Sequence, residues 1–220
     1  MRNAYLLSLD HNSERAVESK GMLEKVSFDV IQSEVVPNDS GILSNRLSMV
    51  NILKNIISSK KRWSYIFEDD IQFWEYFALK SLTSFEKKSK SIFYLGACSL
   101  DSPVKTKEII DSRPVYRFKS ENTRCCHGLA ISLSGAKHLL KEQEKFDDST
   151  YFDEIVGKTF ASEEPLILRG DLVSFLDPTH YGLVFQDRDR YSPNNAPAGG
   201  WGSTQRANRR RAKVNFIEKF

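Results

Sequence analysis

The stretch SYIFEDDIQF, residues 64–73, decides how the rest of the chain is read. An apolar run ends in three consecutive carboxylates, Glu68, Asp69 and Asp70, and then resumes with Ile71 and Phe73. Adjacent like charges repel, and a buried carboxylate left alone tends to take up a proton. A strand ending in three of them needs a compensating cation or strong donors. Side chains alternate across a strand, so an extended chain puts Glu68 and Asp70 on one face and Asp69 on the other. The competing reading is a solvated strand end with capping acids.

Working outward, 3–10 (NAYLLSLD) is a short apolar strand that also ends in an acid, Asp10. A helical stretch follows, with Asn12 or Ser13 as its cap and Gly21 as a bend or stop. Residues 28–36 read as a second strand closed by Pro37, Asn38 and Asp39. Leu43, Leu47, Val50, Leu53 and Ile57 then recur every three or four positions, the period of an amphipathic helix. The third strand, RWSYIF, leads into the acidic cluster, with a helix expected around Glu75 to Lys88 and a fourth strand over 91–97.

Residues 98–112 are polar and read as a loop, followed by short strands over 115–118 and 127–132. Ser134 is the expected cap of the next helix, and a shorter helix is expected within 147–160. Strands over 166–170, 172–178 and 181–187 complete the pattern. Alternating strands and helices predict an α/β domain with a mainly parallel, mixed central sheet flanked by helices. In such sheets ligands bind beyond the carboxyl ends of the strands, where Asp10 and the acidic triplet both fall.

Composition narrows the function. The chain has 220 residues, enough for one sizeable domain or two small ones, and a net charge of +3, too small to argue for nucleic acid. Basic residues crowd its end, at Arg206, Arg209, Arg210, Arg211 and Lys213. Three cysteines, two adjacent and none in a CxxC pair, make no disulfide framework or zinc site and fit a reducing compartment. No stretch approaches the length of a membrane span. The expectation is a cytoplasmic protein with a domain over 1–190 and a basic tail over 191–220.

Taken in order, NAYLLSLDHNSER, GILSNRLSMVNIL, SYIFEDDIQF, SIFYLG, HGLAISLSGAKHLL, TYFDEIV and YGLVFQD resemble the successive motifs of GT-A glycosyltransferases, most similarly family 25, the lipopolysaccharide and collagen-type galactosyltransferases. Compact viral glycosyltransferase domains also look like this, which would imply the host cytoplasm. Asn45 stands where that family has His, and the residues before Gly128 also depart from its pattern. The resemblance implies a Rossmann-like GT-A domain. Its activity would be metal-dependent transfer of a sugar, with inversion, from a nucleotide-diphosphate sugar, UDP-linked by preference, to a hydroxyl of a glycan or glycoprotein.

Hard oxygen ligands suit Mn2+ or Mg2+. The implied ligands are Asp70 first, then Glu68, with His180 as a late third; its alternative is an ordinary loop histidine. Asp69 would contact donor hydroxyls. Ser8, Leu9 and Asp10 would hold the nucleoside, with Arg15 beside it, and Arg46 would reach the donor. Arg15 reads equally as a helix-face arginine, and Arg46 as a surface salt bridge. Asp153 is the implied base, with Glu154 and Asp148 behind it; its alternative is a helix cap. His127 is a candidate for the acceptor pocket, while His11 and His138 look peripheral. A different class remains open: a metal-dependent nuclease or nucleotidyltransferase binding nucleic acid through the acidic cluster and the arginine tail.

Overall fold

The computed structural model describes residues 2–73, 79–97, 99–110, 112–124, 127–168 and 181–186. The expected strand over 172–178, His180 and the basic tail over 191–220 lie outside them. The first half follows the periodicities closely. Strand β1 (Arg2–Ser8) is followed by α1 (Glu14–Lys25), β2 (Phe28–Glu34), α2 (Gly41–Ser59) and β3 (Trp63–Glu68). Ser13 and Ser40 cap the two helices, their hydroxyls accepting from the amides of Ala16 and Leu43. Helix α2 stops at Lys60, which takes a left-handed conformation (φ 56°).

Strand β1 lies between β2 and β3 and runs parallel to both. Its interior is buried on both faces, which is why it reads as an unbroken apolar run. Alternation then sorts the core into two layers. Ala4, Leu6, Tyr65 and Phe67 face one cluster with Leu23 of α1. Leu82 and Phe85 of α3 (Leu79–Lys88) join the same cluster. Tyr5, Leu7 and Ile66 face the other, with Met49, Ile52, Leu53 and Ile56 of α2. The result is a sheet sandwiched between helices. The first layer is aromatic: Phe85 stacks on Phe93 at 5.1 Å between ring centres, and Phe28 meets Tyr65 at 4.9 Å.

The second half departs from expectation. Strands β5 (Ile92–Ala97), β6 (Ser99–Ile110), β7 (Arg113–Arg124), β8 (Gly128–Ser132) and β9 (Leu166–Leu168) continue the sheet in the order β2-β1-β3-β8-β5-β9-β7-β6. Among the described residues, parallel pairing is confined to β1 with its two neighbours and to β5 with β9. The sheet is therefore mixed, and parallel mainly in its first half. The segment expected as a loop, 98–112, is mostly β6, one arm of a long antiparallel hairpin with β7. Its polar residues suit an edge strand, where alternation with a buried face is weak. Helix α4 (Leu133–Glu142) is capped by Ser132, not Ser134: the Ser132 hydroxyl accepts from the Gly135 amide at 3.0 Å. Helix α5 (Phe152–Thr159) packs against β7, and the Ser120 hydroxyl donates to the Gly157 carbonyl at 2.8 Å.

The single late strand expected over 181–187 is two short ones. Strand β10 (Tyr181–Gly182) pairs with β5, and β11 (Val184–Gln186) pairs with β4 (Ile71–Phe73) in a separate ribbon. The switch between sheets requires very close backbone approach. A Cβ on Gly96 would lie 2.3 Å from the Val184 carbonyl oxygen and 2.4 Å from the His127 ring. Gly182 has φ +107°, a conformation that other residues rarely adopt.

Candidate functional site

The registers of the parallel strands bring three chain ends level: Leu7 lies opposite Glu68, and Ser8 opposite Glu34. Beyond them opens a cleft of about 350 Å3, walled by the beginnings of α1 and α2. That volume falls in the ordinary range for small-molecule sites. Leu7, Ser8 and Leu9 line it from β1 and its exit, Arg15 from α1, and Val35 and Asn38 from the exit of β2. Gly41, Ser44 and Asn45 contribute from the first turns of α2, and Glu68, Asp69 and Asp70 from the end of β3.

The acidic triplet does not continue in extended form. Residues 69 and 70 form a turn between β3 and β4. Strand alternation therefore stops at Glu68, and all three acids line the same cleft. Asp69 is nearly buried, with 5% of its side chain exposed, and both its carboxylate oxygens are engaged. Arg15 Nη2 lies 2.7 Å from Oδ1, and the Ser8 hydroxyl donates to Oδ2 in a very short bond. The turn is also held from below: Ser19, one helical turn beyond Arg15, donates from its hydroxyl to the Asp69 carbonyl at 2.9 Å, with the Ile71 carbonyl at 3.3 Å. Helix α1 thus grips the acidic turn by both its side chain and its backbone.

Arg15 pairs with Asp69. Glu68 and Asp70 also bring carboxylate oxygens to the cleft, Asp70 being itself 7% exposed. Among the described residues no group of three or more His, Cys, Asp or Glu side chains is disposed to hold a metal ion. The donor set present fits a divalent cation held by one or two carboxylates, with ligand oxygens and water filling the shell, as Mg2+ commonly binds.

The other expected residues fall in different places. Leu9, 78% exposed, forms the lip of the cleft. Asp10 is outside the lining and shapes the loop into α1. Its carboxylate accepts from the Asn12 amide at 2.9 Å, and its carbonyl from the Ser13 hydroxyl at 2.6 Å. Arg46 is a correction. It is buried, and its guanidinium turns away from the cleft into the chain after α4. Nε donates to the Gln143 side chain at 3.1 Å, Nη1 to the Asp147 carbonyl at 2.6 Å, and Nη2 to the carbonyls of Gln143 and Phe146. Four of the five donors of this fork are thus taken within the fold, and the fifth is on Nη1, the nitrogen nearest Asp148. Asp148 is an exposed partner of the same arginine at 3.8 Å.

Asp153 and Glu154 do not line the cleft. Both sit in the first turn of α5, where Asp153 accepts from the Glu154 amide and Glu154 pairs with Lys158 at 2.7 Å. In the sheet order β7, which α5 packs on, stands four places from β3. His127 is also a correction: it is fully buried, with Nε2 3.0 Å from the Val184 carbonyl. A carbonyl only accepts, so Nε2 carries the proton and the ring serves the fold. His138 lies edge-on to Phe160, centres 5.8 Å apart.

Sequence reasoning gives Ser19 and Ser44 no role, and Asn38 only the close of the second strand. Ser19 had a signal, as the polar member of the buried stripe Ala16, Ser19, Leu23. Ser44 and Ser48 strap α2 to the exit of β2, Ser44 donating to the Val36 carbonyl at 2.6 Å and Ser48 accepting from its amide at 2.8 Å.

None of the described helices is long and apolar enough to cross a membrane. No family model matches the chain, and no curated protein does. Among solved structures the chain is similar to the crystal structure of A197 from STIV, with a TM-score of 0.47 and 10% identity over 76% of this chain and 81% of that one.

Proposed function

We propose that this protein is a GT-A-type glycosyltransferase that binds a nucleotide-diphosphate sugar in the cleft at the ends of β1 and β3 and transfers the sugar to a hydroxyl. One observation carries the reading. The turn after β3 delivers Glu68 and Asp70 to the same cleft as Arg15, while Asp69 is ion-paired with Arg15 and hydrogen-bonded by Ser8. Two hard carboxylates beside a guanidinium suit a ligand that is a diphosphate with its cation. A bound Mn2+ or Mg2+ would offset the charge that develops on the leaving diphosphate.

The residues of the chain divide the remaining work. Asp70 is the first cation ligand and Glu68 the second. Ser8 and Leu9 flank the nucleoside side of the cleft, with Asn38 and Asn45 offering amides that can both donate and accept. The general base is left unassigned, because Asp153 and Glu154 lie outside the cleft lining. The nuclease reading drew on the arginine tail, which lies outside the described residues, and no described feature favours it.

The test is a thermal-shift panel of nucleotide sugars with and without Mn2+. A ligand at a hundred times its Kd adds about 2.7 kcal/mol, worth roughly 5–10 °C for a chain of this size. The shift is expected only with metal present, and Asp70→Asn should remove it. If no nucleotide sugar moves the melt with metal present, the proposal is wrong. Steeply salt-dependent binding to DNA or RNA instead would favour a nuclease.

A further inference from the structure

We infer that the Arg15–Asp69 pair is an exchangeable counter-ion lock: Asp69 holds Arg15 in reserve, and cation binding at the acidic turn releases it to the anionic groups of the ligand. The inference rests on the reading of the cleft as a diphosphate site. Its basis is the unequal environment of the two partners. The Asp69 side chain is 5% exposed and fixed by Ser8, with Ser19 holding the backbone beneath it. The Arg15 side chain is 32% exposed and lines the cleft. A guanidinium carries five donors on three nitrogens, and its closest approach to Asp69 is through Nη2 at 2.7 Å. Asp69 is thus built in, while Arg15 reaches it from the open wall of the cleft.

A cation next to Glu68 and Asp70 competes with Arg15 for the field of Asp69. A ligand phosphate competes with Asp69 for Arg15, and can offer it bidentate geometry. Each event lowers the cost of the other, so cation and diphosphate affinities are positively coupled. By linkage the coupling is equal in both directions.

Inorganic pyrophosphate and MnCl2, titrated calorimetrically into the full chain, serve as probes. Wild type should bind pyrophosphate with Mn2+ and about tenfold more weakly in EDTA, within the usual range of coupling. Asp69→Asn keeps the shape but frees Arg15. It should bind pyrophosphate in EDTA about tenfold more tightly than wild type, and Arg15→Gln/Asp69→Asn should lose that gain. Arg15→Gln alone leaves Asp69 to the cation and should bind Mn2+ several-fold more tightly in the absence of pyrophosphate. Failure of wild type to bind pyrophosphate with Mn2+ overturns the diphosphate reading, and the lock with it. If wild type binds but Asp69→Asn gains nothing in EDTA, the lock alone is refuted. Should Asp69→Asn not fold, Arg15→Gln decides: an unchanged Mn2+ affinity overturns the lock.

Discussion

Arg46→Ala tests the assignment of that residue to the fold and not to a ligand. The substitution strips the donor from four acceptors. Two belong to Gln143, its carbonyl and its side-chain oxygen, and these bonds are buried. A buried acceptor left unsatisfied costs about 1.5 kcal/mol, giving about 3 kcal/mol for the pair. The Asp147 carbonyl regains water and adds little, while loss of the buried arginine stem adds about 1 kcal/mol. The total, about 4 kcal/mol, is a large share of the 5–15 kcal/mol typical of a native domain. Urea denaturation followed by circular dichroism reads it as a lower midpoint at constant slope. Asp148→Ala is the internal control. Its carboxylate is 80% exposed and 3.8 Å away, so its loss should cost under about 0.5 kcal/mol. A loss below about 1.5 kcal/mol for Arg46→Ala, or equal effects of the two substitutions, would refute the clamp. So would a well-folded Arg46→Ala that has lost only its response to nucleotide sugars.

Gly96→Ala should destabilise by about 2–3 kcal/mol, because its Cβ meets a backbone carbonyl at 2.3 Å, whereas Gly21→Ala, with nothing within 4 Å, should stabilise by about 0.5–1 kcal/mol in the same melts. Ser19→Ala should cost about 1 kcal/mol of stability and weaken Mn2+ binding, read by calorimetry, since the acidic turn loses its hydroxyl donor. Tyr65 gives a pH signature. Burial first, and then its hydrogen bond to Glu86, push its phenol far above the usual value. The unfolded chain therefore ionises first, so this contribution is intact below about pH 10 and falls by about 1.4 kcal/mol per unit above it. Tyr65→Phe should flatten that alkaline slope, and a wild-type slope retained in the variant would exclude Tyr65 as its source.

How much of this was legible in the sequence depended on distance along the chain. The β1–α1–β2–α2–β3 order followed from local period and from Ser13 and Ser40, which cap within three residues of themselves. The cleft followed from the same region, through Ser8, Arg15 and the acidic triplet. The failures were non-local. Arg46 looked like a ligand contact because its partners stand about 100 residues away, where no spacing rule reaches. Strand β6 looked like a loop because its strandedness comes from pairing with β7. The alternation argument for Glu68 and Asp70 assumed extended backbone through a turn. It assigned Asp69 to a different face, when in fact the same cleft takes all three.

The cleft draws its described lining wholly from residues 7–70, whereas the strand that covers the far edge of β3 is β8. A ribosome making about 5–20 residues per second completes every part of that lining roughly 3–12 s before β8, some 60 residues later, has been made. During that interval β3 has an unpaired edge that ends in three acids. Carboxylates at the end of an open strand are the kind of charge that disfavours edge-to-edge pairing of two chains.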